Sequence, residues 1–442
     1  MKKIVSVFIA FIILSGLFTG LVFAEEPTLK AESAILIDQK TGNVLFEKDA
    51  DKKMFPASTT KIMTALIALQ EVAAGNLSLE QPITYTETAH ATITDDSSSI
   101  SLLVGEEMKL DDLLKGLLIA SGNDAAAIIA EYIGEGSIDS FVVKMNEKVK
   151  ELGLEDTHFA NPHGLQDEEN YTTAYDMAKI AREAMKDATF RSIVECAHIR
   201  IPATNMSEER YYINTNNLVS RMRYADYFYD KATGIKTGHT EDAGHCLVSS
   251  AKDGDKEVIA VVFKEESISD SHTDSKNLLE YGLNDFDLVR LAKVDDIYGE
   301  VRVKQAAGGA DHILLSAKDN LEILFPDNAD PAEVEAVTEI PENVYAPIKK
   351  GQEIGKVNFV YNSQVIGSVP LVSTTEVKRH VLGFLMSFGE WIWGFRTVKI
   401  VVYTFFALLI LFIILVIIGF SRALKKSKSK KRRRTSYRPP RY

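Results

Sequence analysis

Between Ile400 and Phe420 the chain runs for 21 residues without a charge. Wound as a helix, such a run is about 30 Å long, the thickness of a bilayer's hydrocarbon core. Residues 422–442 follow with 11 Lys and Arg and no acid, including Lys430-Lys431-Arg432-Arg433-Arg434. Positive charge on one flank of a span holds that flank in the cytoplasm. A bare basic run also fits nucleic acid, but directly behind a span it reads as topology, with anionic lipid as the contact. The expectation is a transmembrane helix over 400–420, a basic cytoplasmic tail over 421–442, and a cell-membrane protein whose main body is extracytoplasmic.

The other end carries an export pattern. Lys2 and Lys3 precede an apolar run from Ile4, and Val22-Phe23-Ala24 places small residues where a signal peptidase cleaves, so 1–24 reads as a signal peptide. An uncleaved anchor is the other reading. Both tryptophans, Trp391 and Trp393, fall just before the span, and Val381, Leu382, Leu385, Phe388, Ile392 and Phe395 recur at near-helical spacing. Residues 376–399 are therefore expected to form a juxtamembrane amphipathic segment, with plain continuation of the span as the alternative.

Charge is counted by compartment. The chain totals −12, and leaving out the basic tail and the two N-terminal lysines gives −25. That acidity argues against nucleic acid as a partner. Cys196 and Cys246 are the only cysteines, too few for a disulfide framework. No HExxH or CxxC occurs, so neither a metal nor a cofactor is expected.

Residues 33–48 read as a hairpin around Gly42-Asn43. Helical periodicity covers 58–75 and returns at 111–135, 138–152 and 173–187. Strands follow at 233–237, 244–251 and 257–263, and a helix near 275–283. Helices set between an early hairpin and late strands imply a discontinuous antiparallel sheet with an inserted helical subdomain, an α+β fold, over 25–287. From 288 to 375 short apolar runs alternate with turns, with only a weak helical pattern near 331–337, as in a small all-β domain.

Three short elements carry chemistry. Ser58-Thr59-Thr60-Lys61 opens a helix after Pro56; Ser121-Gly122-Asn123 follows an apolar helix; Lys236-Thr237-Gly238 closes a short strand. A serine on a first helical turn has backbone N–H groups and a positive dipole end beside it. A lysine three residues on shares its face, and burial beside a second cation, Lys236, would lower its pKa enough to make it a base. Ser121 can relay a proton, Asn123 can hold a substrate amide, and the last element offers an extended substrate a strand edge. Each is unspecific alone. A second Lys-Thr-Gly at 40–42 precedes the serine and reads as turn chemistry.

In this order, with Phe55–Ala65, Ile119–Ala125 and Gly234–Thr240 around them, the elements resemble those of the penicillin-recognising serine enzymes, and among them the low-molecular-mass D-alanyl-D-alanine carboxypeptidases. Thr157–Leu165 and Tyr175–Ala178 are also similar to family segments. The resemblance implies the β-lactamase/penicillin-binding-protein-like transpeptidase fold, and removal of the terminal D-Ala from peptidoglycan stem peptides through an acyl-enzyme, with β-lactams as inhibitors. It implies Ser58 as nucleophile, Lys61 as base, Ser121 and Lys236 as proton relays, and Asn123 and Thr237 as substrate holders. Gly238 and His239 would complete the substrate strand, with the Ser58 and His239 N–H groups as oxyanion hole. His163 would lie in a loop beneath, structural or catalytic.

Rival readings are an endopeptidase or transpeptidase using the same acyl-enzyme, a non-catalytic wall-binding module, and a β-lactamase, whose Glu-x-x-x-Asn setting is missing. A Ser-His-Asp hydrolase lacks its Gly-x-Ser-x-Gly. One departure stands out. Many relatives place a carboxylate-binding arginine after the strand that follows the third element, where this chain has Lys264-Glu265-Glu266. The expectation is that Glu266 points away, that Lys236 and Thr237 hold the substrate terminus largely alone unless Lys264 reaches back, and that preference for a free C-terminus is reduced. Oligomeric state is not legible.

Overall fold

The computed structural model describes residues 26–307, 311–380 and 395–434, with side chains described up to 422 in the last stretch. The signal-peptide expectation, and the part of the juxtamembrane expectation that holds Trp391 and Trp393, lie outside the described residues. The described residues fall into two compact units: those up to Lys293 with Asn320–Val337 and Asn358–Ser368, and those of Val294–Asp319 with Thr338–Val357 and from Val369 on.

The first is organised on a five-stranded antiparallel sheet. It contains β1 (Ser33–Asp38) and β2 (Val44–Lys48), the hairpin expected from the sequence. Two short pairs, β3 (Pro82–Thr84) with β4 (Glu107–Lys109) and β5 (His198–Ile201) with β6 (Arg210–Ile213), stand apart from it. The sheet is completed by β7 (Ala232–Thr240), β8 (Gly244–Asp253) and β9 (Lys256–Glu265), in the order β2-β1-β9-β8-β7. Early and late segments of the chain therefore meet at the β1–β9 pair.

Strand periodicity explains why this sheet is buried on both faces. Ile35, Ile37, Ile259, Val261 and Phe263 enter one core with the helices that follow β2. Their neighbours Ala34, Leu36, Ala260 and Val262 enter a second core against Leu278, Leu279 and Leu283 of the helix Ile268–Asn284. Continuous apolar runs, rather than alternating ones, are what a strand covered on both sides requires. In the hairpin turn Thr41 Oγ1 donates to Asp38 at 2.7 Å and Gly42 takes φ +82, so the Lys-Thr-Gly at 40–42 is turn chemistry.

The inserted helices are Lys61–Ala73, Leu110–Ile119, Asn123–Ile133, Ile138–Glu151, Ala174–Ala184 and Ala188–Val194. The periodicity over 111–135 belongs to two helices. Ser121, at φ +63, breaks it.

From Phe286 the chain is almost wholly strand. β10 (Phe286–Ala292) pairs with β13 (Leu321–Pro326). A six-stranded sheet has the order β14-β16-β17-β12-β11-β15, from Ile297–Lys304 (β11), His312–Ala317 (β12), Glu335–Glu339 (β14), Asn343–Tyr345 (β15), Glu353–Tyr361 (β16) and Gln364–Ser373 (β17). The weak helical pattern near 331–337 is corrected: only Pro331–Glu333 coils, and Glu335 onward joins the sheet. The helix Arg396–Arg434 follows, and its apolar part is exposed apart from the half-buried Val402. Among the described residues it is the one helix long and apolar enough to cross a membrane.

Candidate active site

Ser58 sits in a short 3-10 turn, Ala57–Thr60, that runs into the helix beginning at Lys61. The sequence placed it on the helix's own first turn; the tighter coil in front holds it instead. Thr59 closes that coil by donating its hydroxyl to Pro56 O at 2.7 Å. The chain enters through Ala57 at φ +46, a conformation costing a residue with a Cβ about 1–3 kcal/mol and concentrated at functional sites.

The loop 161–165 packs beneath. Thr64 Oγ1 donates to Pro162 O at 2.6 Å. At Gly164, φ +83, a Cβ would stand 1.8 Å from Ala57 O, so only glycine permits this approach. His163 gives its backbone carbonyl to Lys61, and its Nδ1 accepts from Leu165 N at 3.2 Å. Burial, then the Lys61 charge, push the imidazole down to about 3. Through its Nδ1, which accepts from Leu165 N, the ring holds the turn of its own loop.

Lys61 is fully buried. Its Nζ lies 2.8 Å from Ser58 Oγ, 2.6 Å from Asn123 Oδ1 and 2.6 Å from His163 O. Burial first, and Lys236 second, hold its pKa well below the usual lysine value, with Asp124 opposing. A neutral amine has two N–H bonds and one lone pair. Asn123 and His163 can take the two hydrogens, which leaves the lone pair for the Ser58 hydroxyl. The arrangement fits proton abstraction.

The second element is built at the break between two helices. Asn123 N donates to Ser98 O at 2.8 Å, and the buried Asp124 carboxylate accepts from Ile100 N and Leu102 N, each at 3.0 Å. Asp124 thus draws the loop 98–102 around Ser121 and Asn123. Asp124 lies inside the Ile119–Ala125 segment, but nothing in the sequence singles it out for this work.

The third element lies inside β7, the edge strand of the sheet, and not at a strand end. A Cβ on Gly238 would stand 3.0 Å from Pro56 O and 3.1 Å from Ser58 N, so glycine brings this strand onto the serine turn. Lys236 is buried and donates to Thr237 O at 2.9 Å; burial pushes it down to about 7. Thr237 donates its hydroxyl to Thr215 at 2.7 Å. The His239 ring stacks on His245 with centroids 4.3 Å apart.

Ser58, Ser121, Asn123, Thr237, Gly238 and His239 line one cavity of about 430 Å³, with Lys61 bonded to Ser58 and Asn123 below it. Seven of the eight residues expected from the sequence are thus brought together, and the eighth, Lys236, is buried beside them, bonded to Thr237 O and close enough for its charge to act on Lys61. Thr215, Asn217, Arg223 and His272 also line it and were missed, because nothing local marks a loop residue that a distant strand selects. Cys196 and Cys246 are unpaired; Cys246 reaches the cavity wall, its thiol pushed up to about 12 by burial. Among the described residues no cluster could hold a metal.

Comparison with known proteins decides the family. Residues 21–267 match peptidase family S11, described as D-alanyl-D-alanine carboxypeptidase. The chain belongs to that family. Residues 286–379 match the C-terminal domain of penicillin-binding protein 5. The chain is 34% identical over 371 residues to the D-alanyl-D-alanine carboxypeptidase DacF of Bacillus subtilis, covering 82% of this chain and 90% of the relative. It is similar to penicillin binding protein 5 from Haemophilus influenzae (TM-score 0.67, 30% identity, 80% of this chain and 99% of that one). It is also similar to the Streptomyces K15 DD-transpeptidase (TM-score 0.54, 35% identity, 58% and 98%).

Proposed function

We propose that this protein is a serine-type carboxypeptidase that removes the terminal D-Ala from peptidoglycan stem peptides and is acylated by penicillins. The observation that carries the reading is the buried Lys61 amine 2.8 Å from Ser58 Oγ, its pKa lowered by burial and by Lys236. Lys61 takes the Ser58 proton as Oγ attacks the penultimate carbonyl, and the Ser58 and His239 N–H groups receive the oxyanion. The C–N bond breaks as the departing amine gains a proton relayed through Ser121 and Lys236. Water then attacks the ester, and Ser58 regains its proton. Asn123 and Thr237 hold the substrate's amide and terminus, and Gly238 admits it along the edge of β7. A penicillin follows the same course, but its ring amine stays tethered, so its whole mass remains on Ser58. Were an amine to replace water, the acyl group would pass to it, a transpeptidation of the kind that gives the Streptomyces K15 DD-transpeptidase its name.

Intact-mass measurement tests this. Wild type should gain one penicillin and Ser58→Ala none; an adduct on Ser58→Ala would sink the assignment. Lys61→Arg keeps the charge but cannot yield its proton, so acylation should slow by about 10²–10⁴. Acylation near the wild-type rate would show that another base serves Ser58.

We further propose that residues 25–287 form the catalytic domain and 288–375 a small β domain, held outside the membrane by the span at 400–420 with the basic tail inside. The support is the exposed apolar helix and its one-sided basic flank. Protease added to intact cells should remove the body and spare a C-terminal tag. Loss of the tag would overturn the topology.

A further inference from the structure

A carboxypeptidase substrate carries a carboxylate one residue beyond the bond that breaks, so its site needs a cation at that end. The cations nearest the serine are poorly suited. Lys61 is held by three partners beneath the cavity, and Lys236 is buried with its amine turned to its neighbour's carbonyl. Neither candidate at the end of β9 helps. Lys264 pairs with Glu32 at 3.5 Å, Glu266 is exposed, and neither lines the cavity. His245 and His272 line it, but burial lowers both toward the neutral ring.

Arg223 remains. It is the one arginine among the described residues lining the cavity, and no lysine lines it. Its side chain is exposed and makes no hydrogen bond or ion pair with another described residue. A guanidinium keeps its charge at any physiological pH and matches a carboxylate with two parallel N–H groups. Its loop, between β6 and β7, is pinned on the side of the third element: Thr215 accepts from Thr237, Asn217 N donates to His272 Nε2 at 3.2 Å, and the Tyr227 ring lies 5.1 Å from that of His272. The cavity's acid, Asp96, stands beside Ser97 and Ser98 in the loop bound to Asn123, the second element, whereas the loop of Arg223 is bound to the third. A peptide carboxylate is therefore favoured beside the third element.

We propose that Arg223 binds the terminal carboxylate of the stem peptide and so sets a preference for a free C-terminus. This rests on the carboxypeptidase reading above, and it reverses the reduced preference expected from the sequence at 264–266. The test compares kcat/KM for a diacyl peptide ending in D-Ala-D-Ala with that for its C-terminal amide, in wild type, Arg223→Ala and Arg223→Lys. A charge-assisted contact should make the acid-over-amide ratio fall about 10- to 100-fold in Arg223→Ala, mostly through KM, with part restored by lysine. Wild-type melting temperatures in both variants would exclude a folding effect. Hydrolysis by wild type with an unchanged ratio in Arg223→Ala overturns this proposal alone. A wild type that cleaves neither peptide and takes no penicillin on Ser58 overturns the reading of the site as well.

Discussion

Lys61 and Lys236 are 0% and 1% exposed, whereas the side chains of Lys318 and Lys356, in the strand-rich part of the chain, are 47% and 51% exposed. The contrast extends beyond lysines. Before Phe286 the described residues bury Asp38, Glu106, Asp124, Asp176, Glu265 and Asp274; after it, the buried polar residues are the uncharged Ser316, Asn358 and Ser373. A buried charge is costly unless something pairs with it. The catalytic part meets that cost largely with backbone N–H groups: Asp124 takes those of Ile100 and Leu102, and Asp274 those of Lys30 and Ala31. From Phe286 on, an apolar core such as Val301, Leu315, Val357 and Leu371 is combined with ion pairs left in water. Buried charge is found where loops must be held around a reacting serine, and is avoided where strands need only pack.

Glu265 tests whether that buried polarity is maintained at a cost. It is 1% exposed, and neither of its oxygens receives a donor. Burial first, and then the neighbouring Asp274, raise its pKa to about 8. Its protonated form is therefore favoured beside Asp274, which is itself held by two N–H groups. The ordinary value is 4.5. Between that pH and about 8 the folded state binds more protons than the unfolded one. Stability from this group is complete below pH 4.5 and is lost as pH rises through 8. In Glu265→Gln the buried amide is neutral at every pH and acquires no charge as pH rises. The variant should match wild type near pH 4.5 and melt higher by pH 8–9, by about 2–4 °C for each kcal/mol recovered. Melting curves across that range decide it. A difference that does not grow with pH would mean that Glu265 is not the titrating group.

Much of the fold and site was legible, and particular residues show why the rest was not. The three motifs were readable because acyl transfer demands a serine, a nearby lysine and a second cation, whatever the fold around them. Glu265 was partly readable: strand alternation makes 264 and 266 exposed and 265 buried, although Lys-Glu-Glu looks like a surface turn. The break at Ser121 was not. Leu113–Ala120 and Ala125–Ala130 both favour helix, and the left-handed serine between them is held by Asp124's bonds to residues some 22–24 positions earlier. The strand at Glu335–Glu339 was misread for a similar reason, since a sheet neighbour, β16, outweighs weak helical propensity. Arg223 was invisible because its role depends on a loop tied to His272, about fifty residues away in sequence.

The smallest effect should come from the strand-rich region. Arg290 lies directly opposite Glu322 in the β10–β13 pair, with Nε and Nη2 donating to one carboxylate oxygen at 2.9 and 2.6 Å. The side chains are 56% and 34% exposed, so water competes for both and holding them still costs rotamer freedom. Exposed pairs of this kind contribute about 0.2–1 kcal/mol and weaken further with salt. Arg290→Ala should therefore lower the melting temperature by no more than about 2–4 °C, less at high salt, and leave the rate of Ser58 acylation untouched. A thermal melt with a penicillin-acylation assay on the same preparation measures both. A much larger fall in melting temperature would show that this region, too, depends on a specific charge contact, and the contrast with the catalytic part would fail. A slower acylation at an unchanged melting temperature would break it differently, by showing that the strands after Phe286 bear on the serine's chemistry.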